Sequence, residues 1–214
     1  TLPTLNSLRR KFPQTHISWV VESKSRDILV GHPALDELIV FERTRSVVMT
    51  VAAFLRLIRR LRRDRYDVLL ELQGNLRGGL LAWLSRTPMR LGFKAGSSRV
   101  ERISTIFTNV KVSEGDSSHI IERNLNFSAR LGVREKEVSF DIAIGKKEIK
   151  DISSFLKREG IEAKKIVILH PGVSWVTKRW PLEGYAELAD RIKAHFEDTA
   201  VVLTYGPGER PLAE

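Results

Sequence analysis

The sequence predicts an α/β protein built on parallel sheets, and three observations predict it. Short β-rich runs alternate with longer stretches whose apolar residues recur at helical spacing, the pattern of a layered architecture. Two strand candidates, YDVLLEL and KKIVILH, are nearly continuous apolar runs, which predicts strands covered by helices on both faces. Loops bearing glycine follow three of the strands, at the sheet edge where open α/β folds place their ligands.

Taken in order, TLPTLNSLRRKFP sets Leu2, Leu5 and Leu8 on one helical face. Strands are predicted over His16–Glu22, Glu37–Phe41, Val68–Leu72, Arg90–Phe93, Ile166–His170 and Ala200–Tyr205. The clearest helix spans Val47–Asp64, with Val51, Leu55, Ile58 and Leu61 on one side and Arg56, Arg59, Arg60, Arg62 and Arg63 on the other. Further helices fit Leu76–Ser85, Ser118–Leu131, Lys147–Glu159 and Leu182–Ala194. FDIAIGKKEIKD reads as a connector, so two αβ sandwiches in tandem are expected, residues 1–140 and 141–214. The opening lacks a strand before its helix, and the close stops inside a new helix. An interior fragment of a longer protein, truncated at both ends, is therefore expected.

Composition narrows the function classes. The 214 residues contain no cysteine and are 42% hydrophobic, which excludes disulfides and thiolate metal sites and is too apolar for a disordered chain. No run approaches the roughly 18 apolar residues of a membrane-spanning helix. Thr1 opens into a helical pattern rather than a charged start and an apolar segment, so no signal peptide is expected. The net charge of +10 sits in the first half: residues 1–110 hold 19 basic and 9 acidic side chains, whereas residues 111–214 hold 17 of each. Such asymmetry points to an anionic partner for that half. For the arginine run, nucleic acid fits poorly because interleaved aromatics are missing. A solvated face is the commonest reading of such a run, then an anionic lipid surface or anionic substrate, with nucleic acid last.

Several constellations can carry chemistry. In IVILHPGVSWVTKRWP a buried strand ends at His170, and the turn at Pro171 and Gly172 leads into a loop holding Ser174, Thr177, Lys178 and Arg179. Hydroxyls, backbone N–H groups and a cation at a strand end form a cradle for a diphosphate, with Lys178 as the point charge on phosphate oxygens. The alternative is a polar surface loop anchored by two tryptophans. In YGPGE, Gly206 permits close backbone approach and Glu209 could accept from a sugar hydroxyl; a plain strand-to-helix turn explains it too. In ELQGNLRGG, Gln73, Asn75 and Arg77 could bind a polyhydroxylated or anionic acceptor, against helix capping by Asn75. His119 and Arg123, one turn apart, are expected to face one cleft. His16, His32 and His195 read as surface or strand-flank residues, and His170 as a support for its loop. No pair of His, Asp or Glu has a metal-binding spacing.

At these residues the chain resembles the ADP-heptose:lipopolysaccharide heptosyltransferases of glycosyltransferase family 9. HPGVSWVTKRWPLEGYAELADRI is similar to that family's donor loop, VVLTYGPGE to its next strand and glycine turn, and TLPTLNSLRRKFPQTHISWVVE to the segment after its first strand. YDVLLELQGNLRGGLLAWLSRTPMRLGF and HIIERNLNFSARLG look more similar to heptosyltransferase I, which adds the first heptose to the Kdo-lipid A core, than to heptosyltransferase II.

The resemblance implies a GT-B fold of two Rossmann-like α/β/α domains and inverting transfer of heptose from ADP-heptose. It implies no cofactor or metal, a cytoplasmic enzyme on the inner face of the bacterial inner membrane, and an anionic lipid-linked glycan acceptor. Donor contacts would fall to Lys178, Ser174, Thr177, Gly172, Gly206 and Glu209, and acceptor contacts to Gln73, Asn75, Arg77, His119 and Arg123. The family's proposed base, an aspartate, lies in a loop before the segment that begins here, and a later donor loop lies beyond Glu214. The chain by itself is therefore expected to be inactive. Rival readings are a GT-B enzyme using another nucleotide sugar and glycan, or a non-catalytic nucleotide- or nucleic-acid-binding module.

Overall fold

The computed structural model describes residues 1–97, 100–115, 119–133, 137–173 and 175–210. The chain divides into two compact units, Thr1–Ala143 and Ile144–Glu214. All strand pairs in both are parallel, as the sequence predicts.

The first unit runs α1 (Leu2–Lys11), β1 (Ser18–Glu22), β2 (Glu37–Phe41), α2 (Val47–Asp64), β3 (Val68–Leu70), α3 (Leu76–Ser85), β4 (Met89–Phe93), β5 (Val110–Val112) and α4 (Ile120–Arg130). β1 and β2 form one sheet, in register from Ser18 opposite Glu37 to Glu22 opposite Phe41. In the second sheet β4 lies between β3 and β5. β5 and the 3-10 segment Arg102–Phe107 before it went unpredicted. Three residues centred on Lys111 are too short for an alternation to register, and β5 forms because its backbone pairs with β4. The predicted start of α4, Ser118, lies outside the described residues.

Packing explains why these elements hold. Leu2 and Leu5 of α1 bury against Leu29 and Ala34, with Trp19 and Val21 of β1 beside them. Leu91, Phe93, Val112 and Phe127 form a second cluster, in which the Phe93 and Phe127 rings meet edge to face at 4.9 Å. Leu57 and Leu61 of α2 cover Ile39 of β2, and Tyr66 packs beside them. The stripe predicted on α2 is only half right. Ile58 and Leu61 are buried, but Val51 and Leu55 are 51% and 46% exposed, because the packed cluster is met by the second half of the helix. His32 also departs from expectation. It is 3% exposed, its Nδ1 accepting from the Ala34 N–H and its Nε2 lying 3.0 Å from the Phe140 carbonyl oxygen. Nearby, Asn6 donates to the Ser139 carbonyl at 2.9 Å, so two side chains fasten residues 139–140 to the rest of their own unit.

The second unit contains α5 (Lys146–Arg158), β6 (Lys165–Leu169), α6 (Leu182–His195) and β7 (Thr199–Leu203), with β6 and β7 paired throughout. The expectation that YDVLLEL and KKIVILH are covered on both faces fails. Val68 is 40% exposed in β3 and Ile168 is 63% exposed in β6. An apolar run specifies a strand, but its second face closes only where an element packs on it, and α5 and α6 bury no residue fully.

Candidate functional site

In the first unit the carboxyl edge of β3 carries a buried acid. Glu71, 6% exposed, accepts from the backbone N–H of Gln73 at 3.1 Å and of Gly74 at 3.0 Å. Gly74 holds φ +70°, which turns the chain back over the carboxylate. A Cβ on Gly78 would lie 2.2 Å from Glu71 Oε1, so the acid occupies space that any other residue at position 78 would need. Desolvation raises the Glu71 pKa, and the two backbone donors oppose it without prevailing. Sequence reasoning missed this residue; the signal available was a lone carboxylate closing an apolar strand just before a glycine turn.

Around that acid the predicted residues are ordered. Asn75 Oδ1 caps α3 by accepting from the Gly78 N–H at 2.8 Å, and its Nδ2 donates to Gln73 Oε1 at 3.0 Å. Glu101 supports the same helix start, accepting from the Leu76 N–H at 2.7 Å. Gln73 and Arg77 are exposed, and the Arg77 guanidinium lies 3.7 Å from Glu22 at the end of β1. An amide and a guanidinium thus stand at one sheet edge, able to bind hydroxyls and anions.

His119 and Arg123 do not share an environment. His119 precedes α4 as its N-cap, its Nδ1 accepting from the Ile121 N–H at 3.4 Å, and is exposed. Arg123 is inside the helix with a side chain 4% exposed, paired with Glu114 and lying 5.4 Å from the Phe93 ring centroid. The one-turn spacing predicted a common cleft. Because α4 packs inward through Phe127 and Ser128, Arg123 is carried to the interior instead.

In the second unit the loops after β6 and β7 meet. Glu209 Oε2 accepts from the Gly206 N–H at 2.9 Å, and a Cβ on Gly172 would lie 2.0 Å from the same oxygen. Gly172, Gly206 and Glu209, read from two separate motifs, therefore stand together at the carboxyl edge. His170 Nδ1 lies 3.0 Å from Thr204 Oγ1, linking the ends of the two strands. Thr177 and Lys178 are exposed on a 3-10 turn, Val176–Lys178, closed by the Lys178 N–H donating to the Trp175 carbonyl at 2.9 Å. Ser174 lies outside the described residues. Trp180 packs edge to face on Tyr185 at 4.9 Å and fixes the exit into α6. The edge thus joins backbone N–H groups and a carboxylate, and the loop that carries Gly172 continues to the exposed Lys178 ammonium; groups of these kinds can bind a diphosphate and a neighbouring hydroxyl. Among the described residues, no group of three or more His, Asp or Glu is placed to hold a metal ion.

Comparisons with known proteins bear on the family and the fold. Residues 54–214 match glycosyltransferase family 9 (heptosyltransferase). The lipopolysaccharide core heptosyltransferase OpsX of Haemophilus influenzae is 25% identical over 99% of this chain and 57% of its own length. Lipopolysaccharide heptosyltransferase 1 of Pseudomonas aeruginosa is 29% identical over 90% of this chain and 53% of its own. Among solved structures, a family 9 glycosyl transferase from Veillonella parvula superposes with a TM-score of 0.84 at 23% identity, covering all of this chain and 61% of that one. Escherichia coli heptosyltransferase WaaC with ADP gives 0.71 at 21% identity, covering all of this chain and 66% of that one. The chain spans little more than half the length of these curated relatives.

Proposed function

Because the chain belongs to glycosyltransferase family 9, the heptosyltransferases of GT-B fold, we propose that its protein transfers heptose from ADP-heptose to the Kdo-lipid A inner core. The observation that carries the donor half of this reading is the convergence of Gly172, Gly206 and Glu209, on loops of which the first continues into the turn bearing Lys178. In this role Lys178 and the loop N–H groups neutralise the diphosphate as the sugar–phosphate bond breaks, with Thr177 and Ser174 on the same loop. Glu209 accepts from a ribose or sugar hydroxyl, exchanging the Gly206 N–H for the ligand. A solved WaaC structure with an ADP-2-deoxy-2-fluoro heptose supports a nucleotide-sugar donor for the family.

On the acceptor side, Gln73, Arg77 and the exposed His119 supply the polar contacts, while Asn75 holds Gln73 and Arg123 holds the wall behind α4. Transfer proceeds with inversion: a carboxylate base takes the proton from the acceptor hydroxyl as its oxygen attacks the anomeric carbon, and ADP departs. The test incubates the full-length protein with ADP-heptose and Kdo-lipid A and weighs the acceptor by mass spectrometry. A gain of one heptose, reduced about 100-fold or more in Lys178→Ala, is the expected result. No gain from a protein that still binds ADP would discard the sugar or the acceptor.

A further inference from the structure

The exposed face of α2 is divided along its length. Val48 and Met49 are 78% and 59% exposed in its first turn, and Ala52 and Leu55 follow on the same side. Further along, that side carries Arg56, Arg59 and Arg63, which with Arg60 frame a shallow depression. Ahead of the helix Arg43 and Arg45 are exposed, so cations flank the apolar patch at both ends. No acidic residue occurs between Arg43 and Arg63, and Asp64, which follows, is taken up by Arg60 and Arg63. Arg56 and Arg59 form no ion pair with the described residues.

An 18-residue helix is about 27 Å long. It is too charged to cross a bilayer, and no helix among the described residues is long and apolar enough to do so. A helix of this kind lies in the plane of an interface, its apolar side chains among the acyl chains and its arginines at the headgroups. Other occupants suit the face less well. Two copies set against each other here would oppose arginines of like charge. A nucleic acid would find valines, a methionine and a leucine where it needs cations or stacking rings.

We propose that α2, with Arg43 and Arg45, docks this protein on an anionic lipid bilayer surface. Val48, Met49 and Leu55 enter the headgroup–acyl boundary, and Arg56, Arg59 and Arg63 bind lipid phosphates. The inference goes beyond glycosyl transfer, and its test contains neither sugar nucleotide nor glycan acceptor, so the two stand or fall separately.

The full-length protein is sedimented with vesicles of phosphatidylglycerol and phosphatidylethanolamine, and with vesicles of phosphatidylcholine alone, at low and high salt. Wild type binds the anionic vesicles, and salt weakens the binding. The triple variant Arg56→Gln/Arg59→Gln/Arg63→Gln binds them about tenfold or more less tightly. Val48→Ser/Met49→Ser/Leu55→Ser also binds less tightly. Thermal unfolding within a few degrees of wild type shows that the variants are folded, since all six positions face solvent. Equal binding of wild type and both variants overturns the proposal, as does equal binding to the neutral vesicles. If the serine variant instead changes the mass at sedimentation equilibrium and leaves vesicle binding intact, a second copy covers the face and the lipid assignment is wrong.

Discussion

The two units are written in the same language and packed very differently. In the first, three clusters of buried apolar residues join helices to sheets, and buried polar groups such as His32, Glu71 and Arg123 each meet a partner. In the second, Ala200 and Pro171 are the buried apolar side chains among the described residues, while Ile149, Ile152 and Ile168 are more than half exposed. Yet α5 has as clear an apolar stripe as α2, through Ile149, Ile152, Phe155 and Leu156. Periodicity therefore makes an element, and burial needs a second element to cover it. The sites divide likewise: the β3 edge is held by buried partners, whereas the β6–β7 edge is held chiefly by loop-to-loop contacts.

Truncation experiments can break that contrast. The largest effect belongs to Phe127→Ala. Its ring is fully buried against Phe93, and its loss costs about 3–5 kcal/mol in chemical denaturation. Ile168→Ala in β6, 63% exposed, costs within about 1 kcal/mol in the same assay. Comparable losses at the two positions would mean that β6 is covered after all.

Glu71 gives the next effect and a pH signature. Glu71→Ala strands two N–H groups and costs about 1–3 kcal/mol. Glu71→Gln keeps an acceptor and removes the titration. Because burial raises the folded carboxyl above its ordinary value of 4.5, the folded chain retains a proton that the unfolded chain has lost. Stability drawn from Glu71 is thus complete below 4.5 and declines as pH rises from there through the raised value. Glu71→Gln should gain relative to wild type across that window, read from denaturation midpoints at stepped pH. A difference independent of pH would show that the acid keeps its ordinary pKa.

Asp36 has the opposite sign. The Ile17 N–H, first, and the Arg9 guanidinium hold its carboxyl below the usual value of 3.8. Asp36→Asn should therefore lose stability near neutrality and converge on wild type as pH falls below the carboxylate range, in the same stepped series. The smallest effect is Asn75→Ala, which removes the α3 cap and costs about 1 kcal/mol. It should also free Gln73 Oε1. If Asn75 supports the acceptor edge through Gln73, the full-length protein's KM for the acceptor rises while its affinity for ADP is unchanged.

Much of this was legible in the sequence. Residue types at spacings of 3.6 and 2 set the helices and all but one strand, because backbone geometry repeats locally and side-chain period follows it. That the loops holding Gly172 and Gly206 share an edge was legible too, since both glycine motifs follow strands and adjacent parallel strands bring their following loops together. Tertiary structure alone decided the rest. It paired β5 with β4, sent Arg123 inward while leaving His119 outside, and set Gly74 and Gly78 against the Glu71 carboxylate. It also left the first half of α2 uncovered. The physical reason is common to these cases: period specifies which side chains share a face, but whether that face meets core, partner or solvent depends on elements distant in the chain.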